Sequence, residues 1–235
     1  MNNTVAIMQP YFMAYIGYFQ LINSVDTFVI YDNIQYTKKG FINRNRILHN
    51  GTDKQFTIPI KKDSDYLNVV DRNISETWSK DRKKLLNIIN QSYKKSPYYN
   101  ECIDVINECI MYENYNLFEF IYFSVQKLCS YFNIDTNIII SSDIDIDHSL
   151  KSQEKVIAIC KQLNAKTYIN SIGGTNLYDT KTFKQQNINL NFIKSKTIEY
   201  SQFNQEFIPW LSIIDVMMFN DKNTINNYLN QYTLI

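Results

Sequence analysis

Apolar residues follow one of two patterns along the chain, and each pattern predicts a different secondary-structure element. Thr4–Met8 is a short apolar run that stops at Pro10, as expected for a buried strand. Apolar residues then recur three and four positions apart across residues 16–23, which predicts an amphipathic helix. The stretch "DTFVIYDN", residues 26–33, predicts a second strand. Strand, helix and strand in this order indicate a βαβ unit with a parallel pair and a right-handed crossover.

The same apolar patterns predict further strands and helices along the rest of the chain. "KQFTIPIKK" resembles another strand, in which Pro59 restricts the position within a sheet. Residues 78–132 have helical spacing throughout and predict at least three helices, with a break at Ser96-Pro97. Strand character returns in "TNIIISSD", "KTYIN" and "NLNFIKS", which alternate with a capped helix "SQEKVIAICKQLNA" and with closing helical segments. We therefore predict a single α/β domain: a parallel, Rossmann-like sheet of the HIGH-type nucleotide-binding kind, with a mainly helical insert at about 78–132.

Composition narrows the function classes. The 235 residues carry a net charge of +1, which argues against a protein that holds nucleic acid by bulk electrostatics. The chain has no signal peptide and no apolar run near 18 residues, so we expect a cytoplasmic protein without membrane insertion. The four cysteines match neither a CxxC pair nor a zinc framework, and buried structural thiols are expected.

Candidate chemistry lies where the predicted strands end. Ligands of open α/β sheets bind outside the carboxyl ends of the strands. Three segments rich in amides, glycines or cations follow predicted strands, namely "QPYFMAYIG", "YDNIQYTKKGFINRNR" and "NSIGG". We expect these segments to meet in one cleft.

The first segment contains "YIGY", which has the outline of a HIGH-type tetrapeptide with both histidines replaced. Gly17 is kept, and a glycine at a helix start lets a nucleotide approach the backbone. Tyr15 and Tyr18 carry no positive charge at neutral pH, so histidine-based adenylyl transfer is not expected. Either Gly17 admits a nucleotide or it only permits close packing.

The second segment is the most cationic. In a strand, Asn43 and Asn45 would face one side, with Arg44 and Arg46 on the other. Two arginines on one face suit a diphosphate or a carboxylate, and a mobile loop containing Lys38 and Lys39 before Gly40 could close over it. A solvated charged edge that discourages strand pairing is the alternative.

Five further features concern acids, glycines and histidines. Asp32 ends a strand and is the candidate general base or hydroxyl ligand. Asp215 lies in an apolar segment, where Arg44 or Arg46 could neutralise it. Gly173-Gly174 predicts a turn with positive φ or a structural turn only. His49, beside a turn signal, is expected to be exposed, and the aspartates of "DIDIDHS" around His148 are expected to form a solvated strand edge, without a bound metal.

Taken together, "QPYF…YIGYFQLI", "DTFVIYDNIQYTKKGFINRNRI", "YINSIGGTNLYD" and "LSIIDVMMFN" resemble the WbqC-like family of bacterial proteins, from Met8 to the C-terminus. Where that family usually has a proline, this chain has Ala14. The resemblance implies catalytic roles for Asp32, Gln9 and Tyr11. It implies substrate-binding roles for Gly17, Gln35, Tyr36, Lys38, Asn43, Arg44, Arg46, Gly173, Gly174, Tyr178 and Asp215, with Pro10 also part of the pattern.

Genes of that family tend to lie in clusters for surface polysaccharides, which implies work on a nucleotide-linked amino sugar. The resemblance favours transfer of an acyl or aminoacyl group to the sugar amine, with a thioester or an ATP-activated donor and no tightly bound cofactor. A nucleotidylyltransferase or ATP-dependent ligase on a HIGH-type scaffold, and a non-catalytic nucleotide-sugar binder, are the alternatives.

Overall fold

The computed structural model describes residues 3–203 and 205–235. The strands are β1 (Thr4–Met8), β2 (Thr27–Ile30), β3 (Arg44–His49), β4 (Thr52–Thr57), β5 (Asn137–Ile140), β6 (Thr167–Ser171), β7 (Asn189–Ser195) and β8 (Tyr232–Leu234). The helices are α1 (Ile16–Asn23), α2 (Trp78–Tyr93), α3 (Tyr99–Met111), α4 (Leu117–Tyr131), α5 (Ser152–Gln162), α6 (Thr180–Gln185), α7 (Ile213–Phe219) and α8 (Lys222–Leu229). Two short 3-10 turns cover Ser141–Asp143 and Ile172–Leu177.

The central sheet has the order β5-β2-β1-β6-β7-β8. All neighbouring pairs are parallel except β7 and β8, which run antiparallel. The predicted α/β class with a mostly parallel, Rossmann-like sheet is therefore confirmed. The chain leaves β1 toward β2 on one side and later returns to place β6 on the other. The carboxyl ends of β1 and β6 consequently form the topological switch point, where such sheets bind ligands.

Alternate residues of the central strands enter two separate cores, as the two-residue period of a strand requires. Ala6, Phe28 and Ile193 belong to a large core with α1, α2, α3, α4, α7 and α8. Val5 and Val29 belong to a smaller core with α5 and α6 on the opposite face. The sheet is thus the middle of three layers, and the helices of the predicted insert share the large core.

The segment between β2 and β5 contains a β-hairpin as well as the predicted helices. β3 and β4 pair antiparallel in a sheet of their own, joined at Asn50 (φ 51°) and Gly51 (φ 77°). Two successive left-handed residues of the Asn-Gly type form the tight turn that matches strand twist. The turn signal is confirmed, but the predicted strand is shorter, because β4 ends at Thr57 and Pro59 lies beyond it.

Several local predictions need correction. The antiparallel edge strand β8 was not predicted, since "YTL" is too short to show alternation. Ser152 does not cap α5, whose N-cap is Lys151 without a side-chain hydrogen bond. Residues 143–147 form the end of a 3-10 turn and a loop rather than a strand edge.

Two further predictions concern the cysteine thiols and membrane-spanning helices. The four cysteines are buried and free, as predicted, and burial raises the pKa of each thiol to about 12. None of the helices in the described part of the chain combines the length and apolar character that crossing a bilayer requires.

Candidate functional site

A cavity of about 450 Å³ opens at the switch point, and we call it the switch-point cavity. Its floor is formed by the ends of β1, β6 and β7, where Met8, Ser171 and Lys194 line it. The start of α1 contributes Gly17 and Tyr18. A cavity of this size accommodates a drug-sized ligand.

Elements distant in sequence complete the walls of the switch-point cavity. Asn45 and Arg46 reach it from β3, and Tyr11 and Tyr15 from the loop between β1 and α1. The remaining lining residues are Ala14, Leu21, Phe41, Ile172, Ile193, Ser195 and Trp210. Two of these aromatic side chains are largely exposed, Phe41 at 52% and Trp210 at 58%. Exposed aromatic rings around a cavity provide flat surfaces for a base or a sugar ring.

Two bulky residues beside the cavity have left-handed backbone conformations. Met13 has φ 46° and Trp210 has φ 62°, a region that bulky residues rarely occupy. Hydrogen bonds hold the Met13 conformation: its carbonyl accepts from Asn45 Nδ2 and from Ser212 Oγ, both at 2.7 Å. Strain that the surrounding structure holds in place is typical of ligand sites.

Gly17 serves close packing in addition to lining the cavity. A Cβ at this position would lie 2.9 Å from Ser195 Oγ and 3.3 Å from the Tyr15 ring. Ser195 Oγ donates to Gln20 Oε1 at 2.5 Å, and the buried Gln20 amide donates to the carbonyls of Tyr228 and Gln231. The glycine thus allows α1 to approach the end of β7. Gly17 therefore permits close packing, as one of the two predicted alternatives required, and it also lines the cavity.

The predicted catalytic residues after β1 form a small polar group. Tyr11 hydroxyl donates to Gln9 Oε1 at 3.4 Å, and Tyr18 hydroxyl donates to the Gln9 carbonyl at 3.1 Å. Burial raises the pKa of both tyrosines, so each phenol is neutral at physiological pH. Tyr11 and Tyr18 line the cavity, whereas Gln9 is not part of the lining and is bonded to both tyrosines. These groups can donate hydrogen bonds to a ligand but carry no charge.

The two strand arginines lie on the alternate positions predicted for them, between the buried Asn43, Asn45 and Ile47. Their partners differ. Arg46 Nη1 is 2.9 Å from Asp53 Oδ2, and its Nη2 donates to the Trp210 carbonyl. Arg44 Nη2 donates to the Lys38 carbonyl. Arg46 therefore reaches the cavity with a carboxylate already bound.

Asp215 does not pair with either arginine, which corrects the prediction. It is fully buried and its Oδ1 accepts from Tyr93 hydroxyl at 2.8 Å. Its Oδ2 accepts from Tyr200 hydroxyl at 2.7 Å and from Gln202 Nε2 at 2.6 Å. Burial raises the pKa of Asp215, and these three donors oppose the rise. The carboxylate joins three segments of the chain, namely α7, α2 and the segment before α7, and is not part of the cavity lining.

Other predicted binding residues surround Tyr36 rather than the cavity. Tyr36 hydroxyl donates to Asn43 Oδ1 at 2.8 Å, and Asn43 Nδ2 donates to the Ile58 carbonyl. Gln35 Nε2 donates to the Asp65 carbonyl, and Lys38 Nζ lies 2.6 Å from Asp65 Oδ1. Sequence reasoning missed Arg72, which is 2% exposed and stacks over the Tyr36 ring at 4.9 Å. A lone arginine in an irregular segment carries no sequence signal.

Asp32 ends its strand at the same edge of the sheet as the switch point but does not line the cavity. It is fully buried, its Oδ1 accepts from Ser142 N at 3.0 Å, and its Oδ2 has no partner among the described residues. Sequence reasoning also missed the nearby Lys155, whose Nζ donates to Asn33 Oδ1 at 3.1 Å. Burial lowers the pKa of Lys155, and the Asp32 charge opposes this.

The paired glycines follow β6 at the same sheet edge, without the predicted positive φ. Both lie in the 3-10 turn Ile172–Leu177, and Gly51 is the single glycine with positive φ in the described residues. A Cβ on Gly174 would lie 2.5 Å from Asn170 Nδ2, so close packing explains that glycine. Tyr178 packs against the smaller core, and its hydroxyl accepts a hydrogen bond from Tyr168 hydroxyl at 3.4 Å.

A second cavity of about 410 Å³ adjoins the first. The two share Tyr15 and Trp210, whose rings lie 5.1 Å apart. Tyr200, Phe207 and the carboxylates of Glu199 and Glu206 line the second cavity. A tilted aromatic pair thus divides an aromatic and cationic space from an aromatic and acidic one.

The histidines take part in local hydrogen bonds. His49 Nδ1 is 2.8 Å from Ser92 Oγ and the residue is half-buried rather than exposed. His148 Nδ1 is 3.0 Å from Asn33 Nδ2. Within residues 3–203 and 205–235, no group of three or more His, Cys, Asp or Glu side chains is arranged to hold a metal ion.

Comparison with known proteins identifies the family. The model of the WbqC-like protein family matches residues 9–227. The chain is also 27% identical over 229 residues to the uncharacterized protein Rv1507c of Mycobacterium tuberculosis (strain ATCC 25618 / H37Rv), and the alignment covers 96% of each chain. No solved structure matches. The family match extends from the end of β1 into α8 and so includes every lining residue of the switch-point cavity except Met8. This chain belongs to the WbqC-like protein family.

Proposed function

We propose that the protein binds a nucleotide-linked amino sugar in the switch-point cavity and transfers an acyl or aminoacyl group to the sugar amine. In this proposal it serves the biosynthesis of a bacterial surface polysaccharide, an O-antigen or a capsule, in the cytoplasm. The acyl donor is a thioester or an ATP-activated acid, so no resident cofactor is required.

One observation carries the proposal: a ligand-sized cavity lies at the switch point of a doubly wound sheet and has an aromatic mouth. Nucleotides bind such sheets at this place, because several strand-to-helix turns present backbone N–H groups there. Trp210 and Phe41 offer flat apolar surfaces. Lys194 supplies positive charge on the lining, beside Arg46, whose guanidinium is already paired with Asp53. An apolar cavity with a few charged groups suits a ligand that combines a ring with phosphates.

The chemistry requires one base and two neighbouring binding sites. A bond forms between the amine nitrogen and the acyl carbon, and the bond from that carbon to sulfur or to the phosphate oxygen breaks. The amine proton passes to a base and then to the leaving group. We assign the base to Asp32, whose Oδ2 has no protein partner among the described residues. Asp32 is fully buried and does not line the switch-point cavity, so this assignment requires ligand binding to open a path to Oδ2. We assign the donor to the second cavity.

The test is a transfer assay with the full chain. A panel of nucleotide-linked amino sugars is incubated with thioester donors, and separately with carboxylic acids plus ATP and Mg²⁺, and the products are analysed by mass spectrometry. We expect one sugar to gain the mass of the acyl group. The Asp32→Asn variant should bind the same sugar nucleotide in calorimetry but lose turnover.

Other outcomes assign other functions. Release of pyrophosphate without acylated sugar indicates the nucleotidylyltransferase or ligase alternative. Calorimetric binding of a nucleotide-linked sugar without turnover for any donor indicates a non-catalytic binder. If no nucleotide-linked sugar binds, the proposal is wrong.

A further inference from the structure

A group of positive side chains surrounds Tyr36 away from the switch-point cavity lining, and we call Lys38, Arg44 and Arg72 the Tyr36 cluster. Arg72 is its most buried member, at 2% exposure, and its guanidinium carbon lies 4.9 Å from the centre of the Tyr36 ring. Its Nε and Nη2 atoms are buried and have no hydrogen-bond partner among residues 3–203 and 205–235. Arg72 takes part in none of the ion pairs within the described part of the chain.

The second arginine of the cluster is also incompletely bonded. Arg44 Nη2 donates to the Lys38 carbonyl, but Arg44 Nε is buried without a partner in the described chain. Burial raises the pKa of the Tyr36 hydroxyl, and the charges of Arg44, Arg72 and Lys38 all oppose that rise. The geometry also connects both arginines to Tyr36: the Arg72 guanidinium lies over its ring, and its hydroxyl donates at 2.8 Å to Oδ1 of Asn43, the residue before Arg44.

A buried arginine without a partner cannot become neutral by losing its proton, because the pKa of its guanidinium is too high. A buried charge is retained in a fold when a partner of opposite charge compensates it. Asp65 is the acid that the cluster does contact, and its exposed carboxylate is bound to Lys38 at 2.6 Å. Two guanidinium groups with three unused nitrogens thus remain without an acceptor.

We propose that Arg44 and Arg72 bind the anionic group of a substrate, a phosphate or a carboxylate, beside the Tyr36 ring. Both groups present paired oxygens that match the planar donor edge of a guanidinium. Lys38 adds long-range attraction, and the stacked Tyr36 ring fixes the plane of Arg72.

The position of the Tyr36 cluster connects it to the proposed function. The loop that carries Tyr36 continues to Phe41, which lines the switch-point cavity, and to Ile42, whose carbonyl accepts from Phe12 N at 3.0 Å. The identity of the molecule that carries the anion rests on the proposed function: it is the phosphate of the nucleotide-linked sugar or the acid group of the acyl donor. The anion site itself does not depend on that assignment.

Binding at this site requires two irregular segments to separate. Tyr36 N donates to the Leu67 carbonyl at 3.0 Å, and Gln35 Nε2 donates to the Asp65 carbonyl at 3.0 Å. These bonds join residues 34–43 to residues 64–72, and the unused nitrogens lie buried near this junction. An anion that enters should therefore replace these bonds with its own contacts to both segments, and so stabilise the folded chain.

The experiment measures thermal melting and calorimetric binding of the full chain with inorganic pyrophosphate and, separately, with acetate, at constant ionic strength. A shift with pyrophosphate alone indicates a phosphate ligand, and a shift with acetate alone indicates a carboxylate ligand. The variants are Arg72→Lys and Arg44→Lys. The control is Arg82→Lys on α2. Arg82 Nε is also buried without a partner in the described chain, but its Nη1 and Nη2 already bind the Met111 carbonyl and Glu113.

We expect wild type and the Arg82→Lys variant to bind one of the two anions equally well. The Arg72→Lys and Arg44→Lys variants should bind it about tenfold or more weakly, because an ammonium cannot make the paired contact. If Arg72→Lys does not fold, Arg44→Lys decides, since Arg44 is half-exposed. Unchanged affinity in Arg44→Lys, or no binding of either anion by wild type, overturns the inference. Anion binding without any transfer or sugar-nucleotide binding contradicts the proposed function alone.

Discussion

Asp215 shows how a single buried acid can hold distant segments together. Its two oxygens accept three hydrogen bonds, from Tyr93 on α2 and from Tyr200 and Gln202 in the segment before α7. Tyr93 hydroxyl in turn accepts from Leu48 N of β3 at 2.8 Å. Since a buried carboxylate is tolerated only with such partners, each donor contributes to the stability of the fold rather than to a reaction.

The two tyrosines that bind Asp215 should differ in importance. Tyr93→Phe leaves both Leu48 N–H and Asp215 Oδ1 without partners, whereas Tyr200→Phe leaves Oδ2 bonded to Gln202. At about 1–3 kcal/mol for each orphaned buried group, Tyr93→Phe, which orphans two groups, should lower the free energy of unfolding by about 2 kcal/mol or more beyond the loss in Tyr200→Phe, which orphans none. Urea denaturation of both variants measures this. Equal losses would contradict the assignment of partners.

The same carboxyl should make stability depend on pH. Burial raises the pKa of Asp215 in the folded chain above its value of 3.8 in an unfolded one. The favourable contribution of the protonated form is therefore complete below the unfolded value and is lost as the pH rises through the folded pKa. Denaturation at several pH values should show wild type losing free energy of unfolding relative to Asp215→Asn over that window. A constant difference would contradict it.

At the scale of elements, Gly17 shows how a helix start and a strand end are fitted together. Helix α1 approaches β7 so closely that a Cβ at Gly17 would lie only 2.9 Å from Ser195 Oγ. Ser195 is bound there to Gln20, whose amide donates to the carbonyls of Tyr228, near the end of α8, and of Gln231, just after it. One glycine therefore sets the distance between α1, β7 and the end of the chain.

Gly17→Ala should destabilise the protein although alanine favours helices more than glycine does. We expect a loss of about 1–3 kcal/mol from overpacking, and a smaller loss when Ser195→Ala is present as well. Gly173→Ala is the matched control, because a Cβ there would lie 3.9 Å from its nearest neighbour. Thermal denaturation of Gly17→Ala, Ser195→Ala, the double variant and Gly173→Ala decides. Equal effects at Gly17 and Gly173 would refute the packing role.

At the scale of the whole molecule, the switch-point cavity exists only because three remote segments are bound to one another. Ser212 N donates to the Arg46 carbonyl, and Ile213 N donates to the Ala14 carbonyl, both at 2.8 Å. These bonds, with those to Met13, join the loop after β1, the hairpin strand β3 and the segment before α7. Trp210 stands at their junction and separates the two cavities.

Trp210→Ala should therefore impair ligand binding more than stability. The side chain is 58% exposed, so its removal costs little packing, but it provides a wall of both cavities. We expect nucleotide-linked sugar affinity to fall by about tenfold or more, as for aromatic anchors of other binding sites. Tyr66→Ala is the control, since Tyr66 is 84% exposed and lines neither cavity. Calorimetry measures both variants, and equal affinities would refute the role of Trp210.

The sequence by itself determined the elements whose residues repeat regularly. Residues 4–8, 16–23 and 189–195 were predicted with the bounds that the structure has, and the α/β class followed from their alternation. Such elements form from neighbours in sequence, so their period is visible in the chain. The cationic and amide-rich segments were likewise visible as candidate binding regions, because composition needs no tertiary contact.

Only the tertiary structure decided which of those residues meet. The bond from Tyr93 to Asp215, the bond from Arg46 to the Trp210 carbonyl and the stacking of the buried Arg72 on Tyr36 depend on contacts between residues far apart in the chain. The strand β8 forms because β7 offers it an edge, although its three residues have no pattern of their own. A side chain's partners and burial are set by the packing of distant segments, and local periodicity contains no record of that packing.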